Sequence, residues 1–143
     1  MKLYKNSCKK QIYYSVDDSL VRGTTCHKIV KMLYESGAKE VHVRIACPEI
    51  KYPDFYGVDM PTKEELLANK KSNKEICDYI QAKSIKFLSI DGLYKALIGE
   101  KRQSQYPQFS DHYFTGDYPI KPHDDLKGVN LKQLSLLSGK SSN

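Results

Sequence analysis

Asp17 and Asp18 are adjacent carboxylates, and shortly after them comes Arg22-Gly23-Thr24-Thr25, all within Val16-Asp-Asp-Ser-Leu-Val-Arg-Gly-Thr-Thr25. The second half has the makings of an anion nest. Gly23 permits a turn that aims consecutive backbone N–H groups inward, a following helix adds partial positive charge, and the hydroxyls of Thr24 and Thr25 add donors. A phosphate dianion fits such a turn. A nucleoside-triphosphate loop is excluded, because no GxxxxGK[ST] pattern occurs and no lysine is placed to reach a γ-phosphate. The first half makes a different demand. Two neighbouring carboxylates repel each other and a phosphate laid against them, but they suit vicinal hydroxyls or a cation. A ligand with a 5′-phosphate and a ribose diol meets both demands, so Asp17, Asp18, Ser19, Arg22, Gly23, Thr24 and Thr25 are read as a phosphoribosyl site. Either half alone is ordinary structure, an N-cap or a turn. The combination directly after a strand favours function.

The elements that must position these residues follow from the periodicity. Gln11 to Val16 is aromatic and β-branched and is expected to be a buried strand. From Thr24 the period changes: Cys26, Ile29, Val30 and Leu33 share one helical face, and Gly37 is placed to end the helix. Val41, Val43 and Ile45 then alternate with His42 and Arg44, a second strand. Strand, turn, helix, Gly turn and strand make a βαβ unit, whose crossover requires parallel strands. The fold class expected is α/β, with this unit over 11–46, helices and loops over 47–143, and a degenerate start over 1–10 in one segment. Cys47 to Pro61 carries three prolines and a glycine and is expected to be a long loop. Thr62 with Glu65 and Ser72 with Glu75 are capping boxes, each opening a short helix. Ile85 to Ile90 is either a short strand or the lead-in to a helix over Asp91 to Ile98. Most of Gly99 to Gly128 is expected to be loop, and Leu131 to Asn143 a short helix with a frayed tail.

Bulk properties narrow the class. A chain of 143 residues, 40% hydrophobic and 28% charged, suits one soluble domain. No apolar run reaches membrane length and the start lacks a secretory pattern, so a cytoplasmic location is expected. Four cysteines (Cys8, Cys26, Cys47, Cys77) without a CxxC pair, and four histidines without close pairing, argue against a disulfide framework or a zinc site. The net charge of +6 is spread along the chain without a basic block, which suits small phosphorylated ligands and gives no reason to expect nucleic acid or membrane as a partner.

At this point a resemblance becomes specific. Val16 to Thr25 resembles the phosphoribosyl-diphosphate signature of type I phosphoribosyltransferases, in the form found in the amidophosphoribosyltransferase family. Gly37 to Ala68, Phe87 to Leu97, Phe114 to Pro119 and Leu134 to Ser138 resemble the C-terminal part of that enzyme, so the likeness runs from about Lys10 onward. The resemblance implies a partial type I phosphoribosyltransferase fold and 5-phosphoribosyl 1-diphosphate, or a purine nucleotide, as ligand. In the family, ammonia released from glutamine by an N-terminal glutaminase displaces diphosphate from C1, with Mg²⁺ assisting, and purine biosynthesis begins. By that likeness Asp17 and Asp18 serve the ribose hydroxyls and Mg²⁺, and Arg22 to Thr25 hold the 5′-phosphate.

The departures matter as much. The glutaminase and the first half of the transferase domain have no counterpart in this sequence, and the strand before the acids reads Ile12-Tyr13-Tyr14-Ser15 where the family is aliphatic. Gln81-Ala82-Lys83-Ser84 stands where Gly-Ala-Asp-Ser is usual. Positions matching the ligands of the family's iron–sulfur cluster are Asp54, Ser110 and Tyr113, so no cluster is expected. A sheet of this size is expected to expose apolar surface at its edge. Three functional readings follow, in order of preference: a remnant of a disrupted gene, not catalytic alone; one subunit of a split enzyme, beside a second chain supplying the glutaminase and the missing strands; and a non-catalytic binding module. Among other residues, Cys26 is expected in the core and His27 on a solvated helix surface. Tyr52, Phe55 and Tyr56 are expected either to pin their loop or to cover a base. Lys70, Lys71 and Lys74 are read as an exposed junction, and His123 to Gly128 as a loop.

Overall fold

The structure is a computed structural model that describes residues 10–57, 62–105 and 107–120. The expectations for Leu131 to Asn143, for the likeness at Leu134 to Ser138 and for the acidic pair of His123 to Gly128 lie outside the described residues. The βαβ unit forms as expected: β1 (Ile12–Asp17), α1 (Thr24–Glu35) and β2 (Glu40–Ile45), with β1 and β2 parallel and Ile12 opposite Glu40. The helix ends after Glu35 in a Schellman turn, in which Ala38 N–H reaches Leu33 O, Gly37 N–H reaches Tyr34 O, and Gly37 takes φ 96°.

The loop from Cys47 leads to a 3₁₀ turn (Lys63–Glu65), α2 (Leu67–Lys70) and α3 (Asn73–Ile80). Both capping boxes are present, Thr62 with Glu65 and Ser72 with Glu75. Ile85 to Ile90 resolves into both of its possible readings. Ser84–Phe87 is β3, parallel to β2, and Ser89 caps α4 (Ile90–Ile98) by accepting from Gly92 N–H. The sheet order is β1-β2-β3, and a short α5 (His112–Thr115) interrupts the last loop.

Helices α1 and α3 pack against one face of this sheet. Val30, Val41, Val43, Ile76 and Ile80 are fully buried there, with Cys26, Leu67 and Ile85 beside them, so Cys26 is a core residue as expected. The other face is open, which corrects the expectation of a buried first strand. Ile12, Tyr14 and Val16 are 51%, 63% and 72% exposed. Strand composition is decided by the pleat, whereas burial depends on what covers each face, and among the described residues nothing covers this one. Its polar residues knit together instead. Tyr14 stacks on His42 with centroids 4.9 Å apart, and the Arg44 guanidinium sits 5.4 Å from the Tyr14 ring centre. The hydroxyl of Ser84 meets His42 Nδ1 at 2.7 Å and accepts from Arg44 Nη1 at 3.1 Å.

Candidate functional site: the turn between β1 and α1

β1 delivers Asp17 to the carboxyl end of the sheet, where open α/β folds bind their ligands. Its carbonyl accepts from Ala46 N–H at 2.8 Å, so the end of β2 fixes the departure of the loop. Asp17 Oδ1 accepts from Asp18 N–H at 3.1 Å, and Asp18 Oδ1 accepts from Ser19 N–H at 2.7 Å and from the Ser19 hydroxyl at 3.4 Å. Among the described residues, the second oxygen of each carboxylate makes no hydrogen bond. Leu20, only 3% exposed, drops into the core and anchors the middle of the loop.

The turn then closes on Gly23. Its φ of 74° is left-handed, and it precedes α1 without any side-chain cap on the first turn of the helix. The first helical bond runs from His27 N–H to Gly23 O. The N–H groups ahead of it, and the exposed Thr24 and Thr25 side chains, are the donors a helix start offers to an anion. Residues Asp17 to Cys26 line one open cavity of about 330 Å³, so the structure gathers all seven expected site residues around a single hollow. Burial first, and then the charge of Asp17, push the Cys26 thiol up to about 11, which makes Cys26 packing and not a nucleophile.

A second layer holds this turn, and sequence reasoning did not find it. Leu67 N–H donates to Val21 O at 2.9 Å, and Arg22 Nη2 pairs with Glu65 Oε1 at 3.2 Å. Leu67 and Tyr79 press on Gly23, where an added Cβ would lie 2.7 Å from Leu67 Cδ2 and 3.1 Å from Tyr79 Cε1. His27 is drawn into the same contact. Its ring faces Tyr79 and its Nδ1 lies 3.1 Å from Tyr79 O, so it is tied to α3 and not freely solvated, which corrects the expectation for it. The capping box of Thr62 and Glu65 was visible, but nothing local tells that Glu65 reaches a residue 43 positions earlier.

The remaining expectations fall on the loops. Lys70, Lys71 and Lys74 are exposed as expected. Tyr56 sets its edge on His112 at 5.1 Å, Phe55 meets Tyr118 at 5.3 Å, and Tyr52 lies against Gly116, so these aromatics pin their loop to α5. Asp54, Ser110 and Tyr113 also come together. Asp54 Oδ1 meets His112 Nε2 at 2.8 Å, Ser110 Oγ meets His112 Nδ1 at 3.0 Å, and burial, followed by the charge and hydrogen bond of Asp54, raises the Tyr113 hydroxyl. This donor set is made of oxygens engaged with their neighbours, and it does not suit the thiolate chemistry of an iron–sulfur cluster. The described residues contain no group of three or more His, Cys, Asp and Glu arranged for a metal, and no helix among them is long and apolar enough to cross a membrane.

Comparison with known proteins agrees with the fold. No protein-family profile matches the chain. An amidophosphoribosyltransferase of Rhizobium etli is 58% identical over 124 residues, 86% of this chain and 25% of that protein. The Staphylococcus aureus amidophosphoribosyltransferase is 52% identical over 109 residues, 76% of this chain and 22% of the relative. Among solved structures, the glutamine phosphoribosylpyrophosphate amidotransferase from B. subtilis, complexed with ADP and GMP, superposes with a TM-score of 0.76 at 42% identity, covering 85% of this chain and 27% of that one. A second structure, described as the allosteric regulatory enzyme of purine biosynthesis, gives 0.71 at 41% identity. The chain therefore spans about a quarter of the length of the relatives it matches. In sequence and in fold, most of it corresponds to that quarter of an amidophosphoribosyltransferase, built on the phosphoribosyltransferase type of α/β sheet.

Proposed function

We propose that this chain binds 5-phosphoribosyl 1-diphosphate, as the phosphoribosyl-binding part of an amidophosphoribosyltransferase. The observation that carries the reading is the hollow of Asp17 to Cys26, where an uncapped helix start and the acidic pair face one space. The 5′-phosphate takes the N–H groups after Gly23 and the hydroxyls of Thr24 and Thr25. The ribose hydroxyls take the carboxylate oxygens that have no hydrogen-bond partner among the described residues. Those same oxygens fit Mg²⁺, a hard cation that is commonly held by one or two carboxylates together with substrate oxygens. When bound, Mg²⁺ supplies charge neutralisation for the departing diphosphate. The negative field of Asp17 and Asp18 favours the positive charge that develops at the sugar carbon.

Turnover, in this reading, requires the glutaminase and the further strands of the relatives, which lie outside the quarter matched here, and a second polypeptide is one way to supply them. The open sheet face supports this, since parallel sheets are ordinarily covered on both sides and Ile12, Tyr14 and Val16 are bare. Co-expression with the remaining part of a relative should yield glutamine-dependent phosphoribosylamine, and inactivity at every ratio counts against the two-chain reading. The same bare strand also favours the alternative, a remnant that keeps the motif without activity. A thermal melt with and without 5-phosphoribosyl 1-diphosphate and Mg²⁺ separates them. Ligand at about 100 times Kd adds roughly 2.7 kcal/mol to a folded receptor, a shift of several degrees. A ligand-insensitive trace favours the remnant, and binding without turnover beside any partner favours a module.

A further inference from the structure

We infer that Ser110 is an activated nucleophile, with His112 as its base and Asp54 as the positioning residue, in a site for carboxylic esters separate from the phosphoribosyl hollow. The inference rests on one imidazole with both nitrogens engaged. Asp54 Oδ1 lies 2.8 Å from His112 Nε2, with the two side chains 0% and 2% exposed. A carboxylate only accepts, so Nε2 carries a proton, and in the neutral form of the ring Nδ1 offers its lone pair. The partner of Nδ1 is the Ser110 hydroxyl at 3.0 Å, which donates to that lone pair when the ring is neutral. Serine, imidazole and buried carboxylate in series are recognised by roles and geometry and not by position in a sequence.

The orientation is fixed from several sides. Asp54 Oδ2 also accepts from Tyr56 N–H at 3.0 Å, and Tyr56, Tyr113 and Tyr118 enclose the His112 ring at 4.0 to 5.1 Å between centroids. The imidazole is thus dry and held, while Ser110 itself is exposed. Beside Ser110 opens a cavity of about 550 Å³, walled by Pro107, Phe109, Tyr118 and Pro119 and with Asp117 on its rim. Its lining is mixed, with Ser104, Gln105 and Gln108 beside the apolar walls, which suits the acyl group of a small neutral ester; Asp117 there is paired with Arg102.

In the acylation step Ser110 Oγ bonds to the ester carbonyl carbon and its proton passes to His112 Nδ1. The ester C–O bond breaks, and the leaving alcohol takes that proton. Water then attacks the acyl-serine by the same route, releasing the carboxylic acid and restoring Ser110. The imidazolium formed on the way faces the Asp54 carboxylate, which stabilises it.

The test treats the full chain with a fluorophosphonate, which forms a P–O bond to an activated serine with loss of fluoride, and locates the added mass by peptide mapping. One label per chain on Ser110 is expected, together with hydrolysis of p-nitrophenyl acetate. Ser110→Ala should abolish both while the chain still melts cooperatively, with the melting temperature lowered by no more than the loss of one hydrogen bond to His112 explains. Asp54→Asn should slow labelling by about 100-fold or more, because the imidazole loses the partner that holds its tautomer. A network that merely staples the loop to α5 would lower the melting temperature in Asp54→Asn but place no label on Ser110 of the unaltered chain. That result, or label retained in Ser110→Ala, overturns the inference whatever becomes of phosphoribosyl binding.

Discussion

Gly23→Ala is the most informative single change, because two independent penalties meet at the turn. The first is conformational. At φ 74° a Cβ costs about 1–2 kcal/mol relative to glycine. The second is steric. The new methyl would sit 2.7 Å from Leu67 Cδ2 and 3.1 Å from the Tyr79 ring, and Leu67 is only 8% exposed and has little room to retreat. Overpacking of this kind costs about 1–3 kcal/mol. Together the substitution should destabilise the chain by roughly 2–5 kcal/mol and abolish binding of 5-phosphoribosyl 1-diphosphate, read by chemical denaturation and calorimetry. A double-mutant cycle divides the two parts. Leu67→Ala destabilises by itself, at about 2–5 kcal/mol for a buried leucine, but in its background Gly23→Ala should cost the conformational share and only the lesser contact with Tyr79. Should Gly23→Ala melt like the unaltered chain, or cost the same with and without Leu67, the clamp described for this turn is wrong.

Other changes test the rest of the structure. Gln81 ends α3 in a Schellman turn with φ 60°, with Ala82 N–H on Cys77 O and Gln81 N–H on Asp78 O, the role that Gly37 plays after α1. Gln81→Gly should therefore stabilise by about 1 kcal/mol and raise the melting temperature by a few degrees; a lower melting temperature would contradict the turn. Burial acts to raise the carboxyl of Asp111, but hydrogen bonds from Arg102 and then Tyr94 outweigh it and hold the group below the ordinary value of about 3.9. A depressed folded-state value means this stabilisation is present above about pH 4 and is lost as pH falls through the lower folded value. Asp111→Asn should lower stability by roughly 3 kcal/mol at neutral pH and flatten the acid limb of a melting profile; an unchanged acid limb would rule out this pairing as its cause. Cys26 should resist iodoacetamide at about pH 8 in the folded chain, since its thiol is buried and pushed up to about 11. Prompt alkylation would show that α1 does not pack as described.

The part of the fold that local periodicity controls was legible. The change from strand to helical spacing near Thr24, the glycines at the two turns and both capping boxes put α1, β2 and the start of α3 where they stand. Ile85 to Ile90 was ambiguous because a short apolar run gives no period long enough to tell strand from helix, and it proved to contain the end of one and the start of the other. The candidate site was legible as a list, since its residues are consecutive, but its support was not. Glu65, Leu67 and Tyr79 reach it from far along the chain, and their own surroundings in sequence announce only a helix start and an amphipathic helix. The burial of β1 was misread for a related reason. Tyr13, Tyr14 and Val16 have strand-forming side chains whatever lies over them, and cover is a property of the whole assembly of elements. The His112 cluster had no signal in local periodicity, being drawn together from loops at Asp54 and Ser110; only the family likeness grouped Asp54, Ser110 and Tyr113 beforehand.

The central claim is that the turn from Asp17 to Cys26 receives a phosphoribosyl ligand. Backbone amide NMR during titration of the ¹⁵N-labelled chain with 5-phosphoribosyl 1-diphosphate and Mg²⁺ tests it residue by residue. The account predicts saturable shifts centred on the amides of Gly23, Thr24, Thr25 and Cys26, with smaller ones at Asp18 and Ser19, and their loss in Gly23→Ala. Saturable shifts centred elsewhere on the sheet, or a spectrum unmoved at high ligand concentration, would contradict it.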